Sequence, residues 1–572
     1  MSKLLCFLII FLVFSCDDST KLKRKSINVA LTTNVSTLDP AVSYDTVSAE
    51  VIYQIHETLY EYDYLIRPYH LKPLLAEDLP LIDDNGLKYT IKIKKNIQYH
   101  SSTAFKGKTR YLKAQDFINQ IKRLAFKPTK SNGWWLFNGK IKGLNDFRNA
   151  VDSDLKVFFN HQVEGLQAPD DHTLVIQLTK PYPQLLFALA MAFTTPIPEE
   201  VIKEKENDLS QGSVGTGPFI LKEWKKSLSL TLTRFKDYHP EFYPNKGDRI
   251  SYQKDLLADK GKSLPFIQGI KFNIIKESQT RWLNFLKKKI DFIILNKDHF
   301  SIALKADGTL NADYKSQDIK LQIAPTLTYW WIAFNMKDSV VGNNLNLRKA
   351  IAFAIDTERY IDIFTNNIAL KANSIYPPGI PGYNPSYQSP YGYNLKKAKE
   401  YIAKAGYPKG KGLPTLNYDV RGASSTARQM GEFIKGELAK IGIKVNININ
   451  TFPAFLNKAR TGQLQFWQGG WAMDYPDAEN TIQLLLTKNH SPGPNATYFS
   501  NKKLDSLFEK LSKNSNPGLK SKILKQIEDI VQTNLPWIMQ YYSRNYILHH
   551  GNIKNFRQSD LIFNHYKYLK IE

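Results

Sequence analysis

Two carboxylates three residues apart, Asp474 and Asp477, stand among glycines, aromatics and a proline in GGWAMDYPDAEN (469–480). Such groups do acid–base work in pairs, ligate metals, or pair with a ligand's cation. A glycosidase sets two carboxyl groups across a scissile bond, but spacing within one loop does not establish that geometry. Nothing else in the chain points to sugar hydrolysis. Metal ligation asks for histidines or cysteines at ligand spacing; the eleven histidines are scattered, and adjacent His549 and His550 cannot share one helix face. The chain has no Gly-x-Ser-x-Gly elbow, no His-Glu-x-x-His and no phosphate loop, since GYPKGKG (406–412) lacks the spacing and the hydroxyl after lysine. No catalytic residue, metal or cofactor is expected, so the chain does not read as an enzyme. Asp474 keeps two readings: a cap for the turn before Pro476, or a counter-charge for a ligand cation. Asp477 reads as a turn or helix-start residue.

The elements that must position these groups begin after an unusual N-terminus. Lys3 precedes an apolar run from Leu4 to Phe14, which ends at Ser15-Cys16. A helix of that length spans roughly 16 Å, about half the hydrocarbon core, and has the size of a signal-peptide core. LVFSC (12–16) resembles a bacterial lipoprotein box, with Ser15 before the cut and Cys16 lipidated; an ordinary signal peptide is the alternative. The chain has only two cysteines, Cys6 and Cys16. If the first leaves with the signal and the second carries lipid, no free thiol remains for disulfides, metal or nucleophilic chemistry. No later stretch approaches the ~18 apolar residues of a spanning helix.

The formal charge is +24 and the isoelectric point about 9.5, but the lysines are dispersed in short groups with acids between them. That describes a solvated basic surface facing anionic lipid better than a nucleic-acid site. Residues 16–26 read as a lipidated tether. SINVALTTNVSTLDP (26–40) reads as a strand entering a turn, and AEVIYQIHETLYEYD (49–63) has helical spacing. LKYTIKIKKNIQYH (87–100) and HTLVIQLTKPYP (172–183) alternate as strands do. NLRKAIAFAIDTERYIDIF (346–364), residues 427–441 and residues 519–535 are amphipathic helices, the last two leading into strands. Proline-rich 374–394 reads as a long surface loop. Helices and strands interleave, so the class is α/β. Over 500 residues are too many for one core and call for two or three lobes.

Several segments then converge. STLDP (36–40), LLAEDLPLIDDNGLKYTIKIKKNIQYH (74–100), GSVGTGPFIL (212–221), LRKAIAFAIDTERYI (347–361) and PWIMQYY (536–542) occur in the order found in one family. The chain resembles the large periplasmic oligopeptide- and dipeptide-binding proteins that serve ATP-binding-cassette (ABC) importers. YHSSTAFKG (99–107) departs from the family's usual turn. The resemblance implies a bilobal periplasmic-binding-protein clam of three regions. One lobe would take 27–72, 211–270 and 531–572; a second region, 73–210, would pack on it; and 271–530 would form the other lobe. Ligand would bind between lobes that close by hinge rotation.

The resemblance also assigns roles. Gly470, Trp471, Ala472 and Asp474 would lie along a bound peptide, with Gly470 leaving room for backbone approach, Trp471 forming a wall and Asp474 meeting the α-ammonium. Tyr44 and Thr46 would face the peptide from the other lobe. Arg421 and Arg428 are the candidates for the peptide carboxylate. Trp134 has two readings, the wall of a side-chain pocket or core packing. VGTGP (214–218) reads as a structural turn whose glycines allow positive φ. The expected protein is a monomeric, lipid-anchored periplasmic receptor, held at the outer face of the cytoplasmic membrane as Asp17 suggests. It would hand peptides to an ABC permease and bind no nucleic acid. The alternatives are the same scaffold carrying a nickel chelate or oligosaccharide, or acting as a sensor.

Overall fold

The computed structural model describes residues 25–572 apart from 213, 306, 423, 492 and 513–515. The lipobox, Cys16 and nearly all of the tether lie outside the described residues.

SINVAL alternates half-buried and buried positions, so Ser26–Leu31 forms a strand with Ile27, Val29 and Leu31 inward. It runs parallel to Gly269–Ile274, which continues antiparallel to Ser229–Arg234 and then Phe219–Lys225. Helix Thr46–Ile55 packs Val51, Ile52 and Ile55 onto this sheet, and Asp45 caps it by accepting from the Ser48 amide. The helical spacing of 49–63 overshoots: the helix stops at Ile55, and Tyr60–Tyr62 pairs with Leu71–Pro73. The cause is tertiary. The VGTGP turn docks on the helix end, where the Gly217 amide donates to the Ile55 carbonyl at 2.9 Å. A Cβ at Gly215 would stand 1.9 Å from that carbonyl oxygen. Neither Gly215 nor Gly217 has positive φ, so these glycines serve close approach, not a left-handed turn.

A second antiparallel sheet, in the order Leu81–Asp83, Lys88–Lys92, Thr173–Gln177, Leu166–Asp170, packs with helix Ala114–Ala125. It is tied to the first lobe by Arg123, whose buried guanidinium meets both Asp39 oxygens at 3.1 and 2.6 Å. Asp39 belongs to the STLDP turn, which is thus an anchor between regions.

The third sheet is the largest, in the order Phe292–Ile294, Trp537–His550, Ile319–Phe334, Phe466–Ala472, Leu416–Arg421, Val445–Asn450, with Leu370–Lys371 also on Trp537–His550. Ile319–Phe334 has 16 residues and spans about 50 Å. Its pairing with Trp537–His550 changes register between Pro325 and Tyr329. On one side of that break Ala324 and Ile547 enter the core of the first lobe; on the other, Leu327, Tyr329, Trp331 and Trp537 enter that of the second. The fold is a bilobal α/β clam whose long strands are common to both halves. Residues 282–310 pack with Leu548 and against Ala30, beside the first-lobe sheet. The 346–364 stretch is two helices, Leu345–Ala354 and Thr357–Thr365, because Asp356 caps the second by accepting from the Arg359 amide. Among the described residues no helix is long and apolar enough to cross a membrane.

Buried charges fasten three distant chain segments to one another. Lys567 reaches Glu61 at 2.9 Å and Glu241 at 2.7 Å, and Glu57 accepts from His239 at 3.0 Å, Tyr238 at 2.7 Å and Thr216 at 2.9 Å. Replacing Lys567 by Met strips Glu61 and Glu241 of their shared buried cation and should cost about 3–5 kcal/mol in chemical denaturation. Burial alone would raise Glu57, but the His239 charge and hydrogen bond hold it below its ordinary 4.5. Burial alone would lower His239, but Glu57 holds it above 6.5. Glu57 therefore stabilises above pH 4.5 and loses that contribution as pH falls through its folded value. His239 stabilises below pH 6.5 and loses its contribution as pH rises through its own. The destabilisation by His239→Gln, read from urea midpoints, should be largest between pH 4.5 and 6.5 and shrink on both sides.

Candidate functional site

Strand Phe466–Ala472 (FWQGGWA) sets the site. It runs antiparallel to Ile319–Phe334, with Trp331 opposite Gly469 and Trp330 opposite Gly470. Successive side chains on a strand point to opposite faces, so each tryptophan covers the glycine across from it. A Cβ on Gly469 would lie 2.4 Å from Trp331 Nε1, and one on Gly470 2.5 Å from the Trp330 ring. The room that Gly470 leaves is thus occupied by the protein's own indole.

On the other flank, Arg421 ends strand Leu416–Arg421. Its Nη1 donates to the Gly470 carbonyl at 3.0 Å, and its guanidinium lies over the Trp330 and Phe452 rings at 5.1 and 5.0 Å. Burial draws it below the usual arginine range, opposed by Tyr541. Among the described residues no carboxylate forms an ion pair with it.

Beyond Ala472 the chain turns out of the strand and presents Asp474. Its Oδ1 accepts from the Tyr44 hydroxyl at 3.0 Å and its Oδ2 from Asn480 Nδ2 at 3.1 Å. Asn480 is fully buried and also accepts from Trp471 Nε1 at 2.8 Å, so one amide fixes both the wall and the carboxylate. Burial raises Asp474 above the ordinary aspartate value, and the bonds from Asn480 and Tyr44 only partly oppose it. No Lys, Arg or His among the described residues pairs with it. Asp477 turns away and accepts from the Glu479 amide at 2.8 Å, the helix-start role its position suggested.

These groups border one cavity of about 760 Å³, within the roughly 300–1,000 Å³ of small-ligand clefts. Its wall includes Tyr44 and Thr46 from the first lobe, and Arg421, Gly470, Trp471, Ala472 and Asp474 from the second. Arg428 is exposed on the outer helix Ser425–Ala439 and does not border it. Nor does Trp134, which packs at the core of the 73–210 region with the Arg148 guanidinium 4.9 Å over its ring. Next to Asp474, Tyr475 stacks on Phe187 at 5.5 Å and 7°.

Sequence reasoning missed the indole wall. Trp331, Trp467 and Trp537 border the cavity, Trp331 and Trp537 stack at 4.4 Å, and the Nε1 atoms of that stacked pair are buried without an acceptor among the described residues. The signal was the Trp-Trp of TYWWIAF matched to the Gly-Gly of FWQGGWA, legible only once the strands are known to be neighbours. Glu50 and Asp560 on the same wall were missed too.

The comparisons with known proteins agree with this geometry. The family model described as bacterial extracellular solute-binding proteins, family 5 Middle, matches residues 70–493. The chain belongs to this family. Heme-binding protein A of Haemophilus influenzae is 24% identical over 86% of this chain and 82% of its own length. Glutathione-binding protein GsiB of Escherichia coli is 24% identical over 93% and 92%. The ABC transporter-associated periplasmic binding protein DppA from Helicobacter pylori, solved in complex with peptide STSA, superposes with a TM-score of 0.71 at 23% identity. That superposition covers 96% of this chain and 98% of the other. The protein is an extracytoplasmic solute-binding protein of the kind that serves ABC importers.

Gly470→Ala should drive a methyl into the Trp330 ring and Arg421. It should cost about 1–3 kcal/mol in denaturant titrations and displace Arg421 from the Gly470 carbonyl, read as weaker ligand binding in calorimetry.

Proposed function

We propose that this protein captures short peptides between its lobes and delivers them to an ABC permease, as a monomer lipidated at Cys16 and held at the periplasmic face of the cytoplasmic membrane. The observation that carries the reading is the pairing of Asp474 and Arg421 on one cavity. One is a carboxylate and the other a guanidinium, and among the described residues neither has an opposite charge in an ion pair with it. That is the complement of a zwitterion. A receptor for varied peptides makes its contacts to shared features, the two charged ends and the backbone, and charge-assisted bonds strengthen where closure excludes water. The stacked indoles of Trp331 and Trp537 supply an apolar wall for the ligand. Among the described residues the strand Phe466–Ala472 has no ladder partner beyond Trp467 on the Arg421 side, which supports backbone pairing of a peptide there. The peptide held by the Helicobacter pylori protein and the glutathione named for the Escherichia coli relative, itself a peptide, accord with this reading.

The lobe division follows the same proposal: 27–72, 211–270 and 531–572 with the added region 73–210 on one side, and the other lobe within 271–530. The crossings are placed where the long strands change register near 325 and 543. Residues 282–310 then go with the first lobe.

Asp474→Asn should cost about 2–5 kcal/mol of peptide affinity, at least ~30-fold in Kd by calorimetry. N-acetylation of the peptide should weaken wild-type binding as much and the variant little further. Mass spectrometry of small molecules released from protein purified from its native host should show mixed peptides of a narrow length range. A single non-peptide species would overturn the assignment.

A further inference from the structure

The chain as a whole is strongly basic, with 77 lysines and arginines against 53 acids. Its cavity reverses that balance. Among the described residues, four carboxylates border it, Asp45, Glu50, Asp474 and Asp560, against the single cation Arg421. A zwitterionic peptide engages Asp474 and Arg421 and leaves three acids. Asp45 is accounted for within the protein: its oxygens accept from the Ser48 amide at 2.7 Å and the Ser36 hydroxyl at 2.6 Å, at a helix N-terminus that favours negative charge. Glu50 and Asp560 are not accounted for. Glu50 accepts from the Tyr566 hydroxyl at 2.7 Å, and Asp560 from the Leu327 amide at 3.2 Å. Both partners are neutral, and neither carboxylate has an ion pair among the described residues.

The placement of both acids faces the ligand. Thr46, Ala49, Glu50 and Tyr53 all border the cavity and recur at i, i+3, i+4 and i+7, one face of helix Thr46–Ile55. On the opposite face Val51 and Ile55 pack on the sheet. Asp560 follows Gln558 and Ser559, which border the cavity as well, and its bond to Leu327 sets it beside the register change of the long strands. Burial without a cation pushes Glu50 up to about 7 and Asp560 to about 6, opposed only by those neutral donors. A carboxylate desolvated in this way is stabilised by any cation brought beside it.

Resting on the peptide reading above, we propose that the preferred ligand is a basic peptide, one whose lysine or arginine side chain is directed at Glu50 and Asp560 on the first lobe. Lobe closure then places a cation between acids that the protein itself leaves uncompensated. Acidic peptides are rejected by the same two groups, so the cleft selects on net charge while Asp474 and Arg421 hold the ends.

The test uses the mature protein and tripeptides with alanine at two positions and Lys, Gln or Glu at the third, placed at each position in turn. Affinities come from calorimetry or from the fluorescence of the cleft tryptophans. At one position at least, Lys should bind ~10-fold or more tighter than Gln, and Glu correspondingly weaker. In Glu50→Gln/Asp560→Asn the Lys-to-Gln ratio should collapse to within about twofold. Should that double variant fail to fold, the single variants Glu50→Gln and Asp560→Asn carry the same comparison, each expected to lower the Lys-to-Gln ratio. Equal binding of Lys, Gln and Glu peptides at every position overturns the charge preference and leaves the peptide reading standing. A preference that survives in the folded double variant overturns the assignment to Glu50 and Asp560. Binding of none of the tripeptides, or of longer peptides of the same composition, removes the peptide reading and this inference with it.

Discussion

Everything in this molecule hangs on the pairing of two long antiparallel strands, Ile319–Phe334 and Trp537–His550. Each contributes to the cores of both lobes, and their ladder breaks register between Pro325 and Tyr329. Pro325 has no amide to donate, so a continuous ladder through this point is not available to the backbone. In the proposed lobe division the break sits where the chain passes from one lobe to the other. A shared, interrupted sheet lets two well-packed bodies move relative to each other while their separate cores stay intact. Asp560 binds the Leu327 amide at this junction, so a cleft carboxylate and the crossing strands touch directly.

The same strand pair explains the site's shape. Trp330 and Trp331 leave Ile319–Phe334 on opposite faces, and the neighbouring strand meets them with Gly470 and Gly469. Two bulky indoles fit across a strand only where that strand has no Cβ in the way. One tryptophan then carries Arg421 on its ring, and the other stacks with Trp537 to line the cavity. The cation and the apolar wall of the cleft are both products of this one complementarity.

Electrostatics divides the protein into groups that are compensated and groups that wait. In the first lobe, Glu57, Glu61 and Glu241 are buried against His239, Lys72 and Lys567, and Arg123 is buried against Asp39. There desolvation is offset by internal partners, and the charges hold distant chain segments together. In the cleft, Asp474, Glu50 and Asp560 have only neutral donors, and Arg421 has a carbonyl and aromatic rings. Buried charge without an internal partner is costly to the empty protein, and in the proposed function a ligand of opposite charge would offset that cost.

Much of the architecture was legible in the residues. Period-two burial placed Ser26–Leu31 and Lys88–Lys92, the helix–glycine–strand succession placed Ser425–Ala439 and Val445–Asn450, and collinear motifs pointed to the bilobal family. Local periodicity decides such elements because it records which face must leave water. It did not show that the helix after Asp45 stops at Ile55, since the VGTGP turn that takes its last carbonyl lies about 160 residues away. Nor could it separate Arg421 from Arg428, seven residues apart, one borne on a strand end facing the cleft and the other on an outer helix. Gly470 and Asp474 stand out by type, but what fills the space beside the first and holds the second depends on Trp330, Tyr44 and Asn480, brought in from other strands, the other lobe and the next turn. The sequence by itself determined most of the secondary elements, though not all their ends, and the family. Tertiary structure alone decided which charges share a cavity and which are compensated, because burial and charge pairing depend on distances between segments hundreds of residues apart.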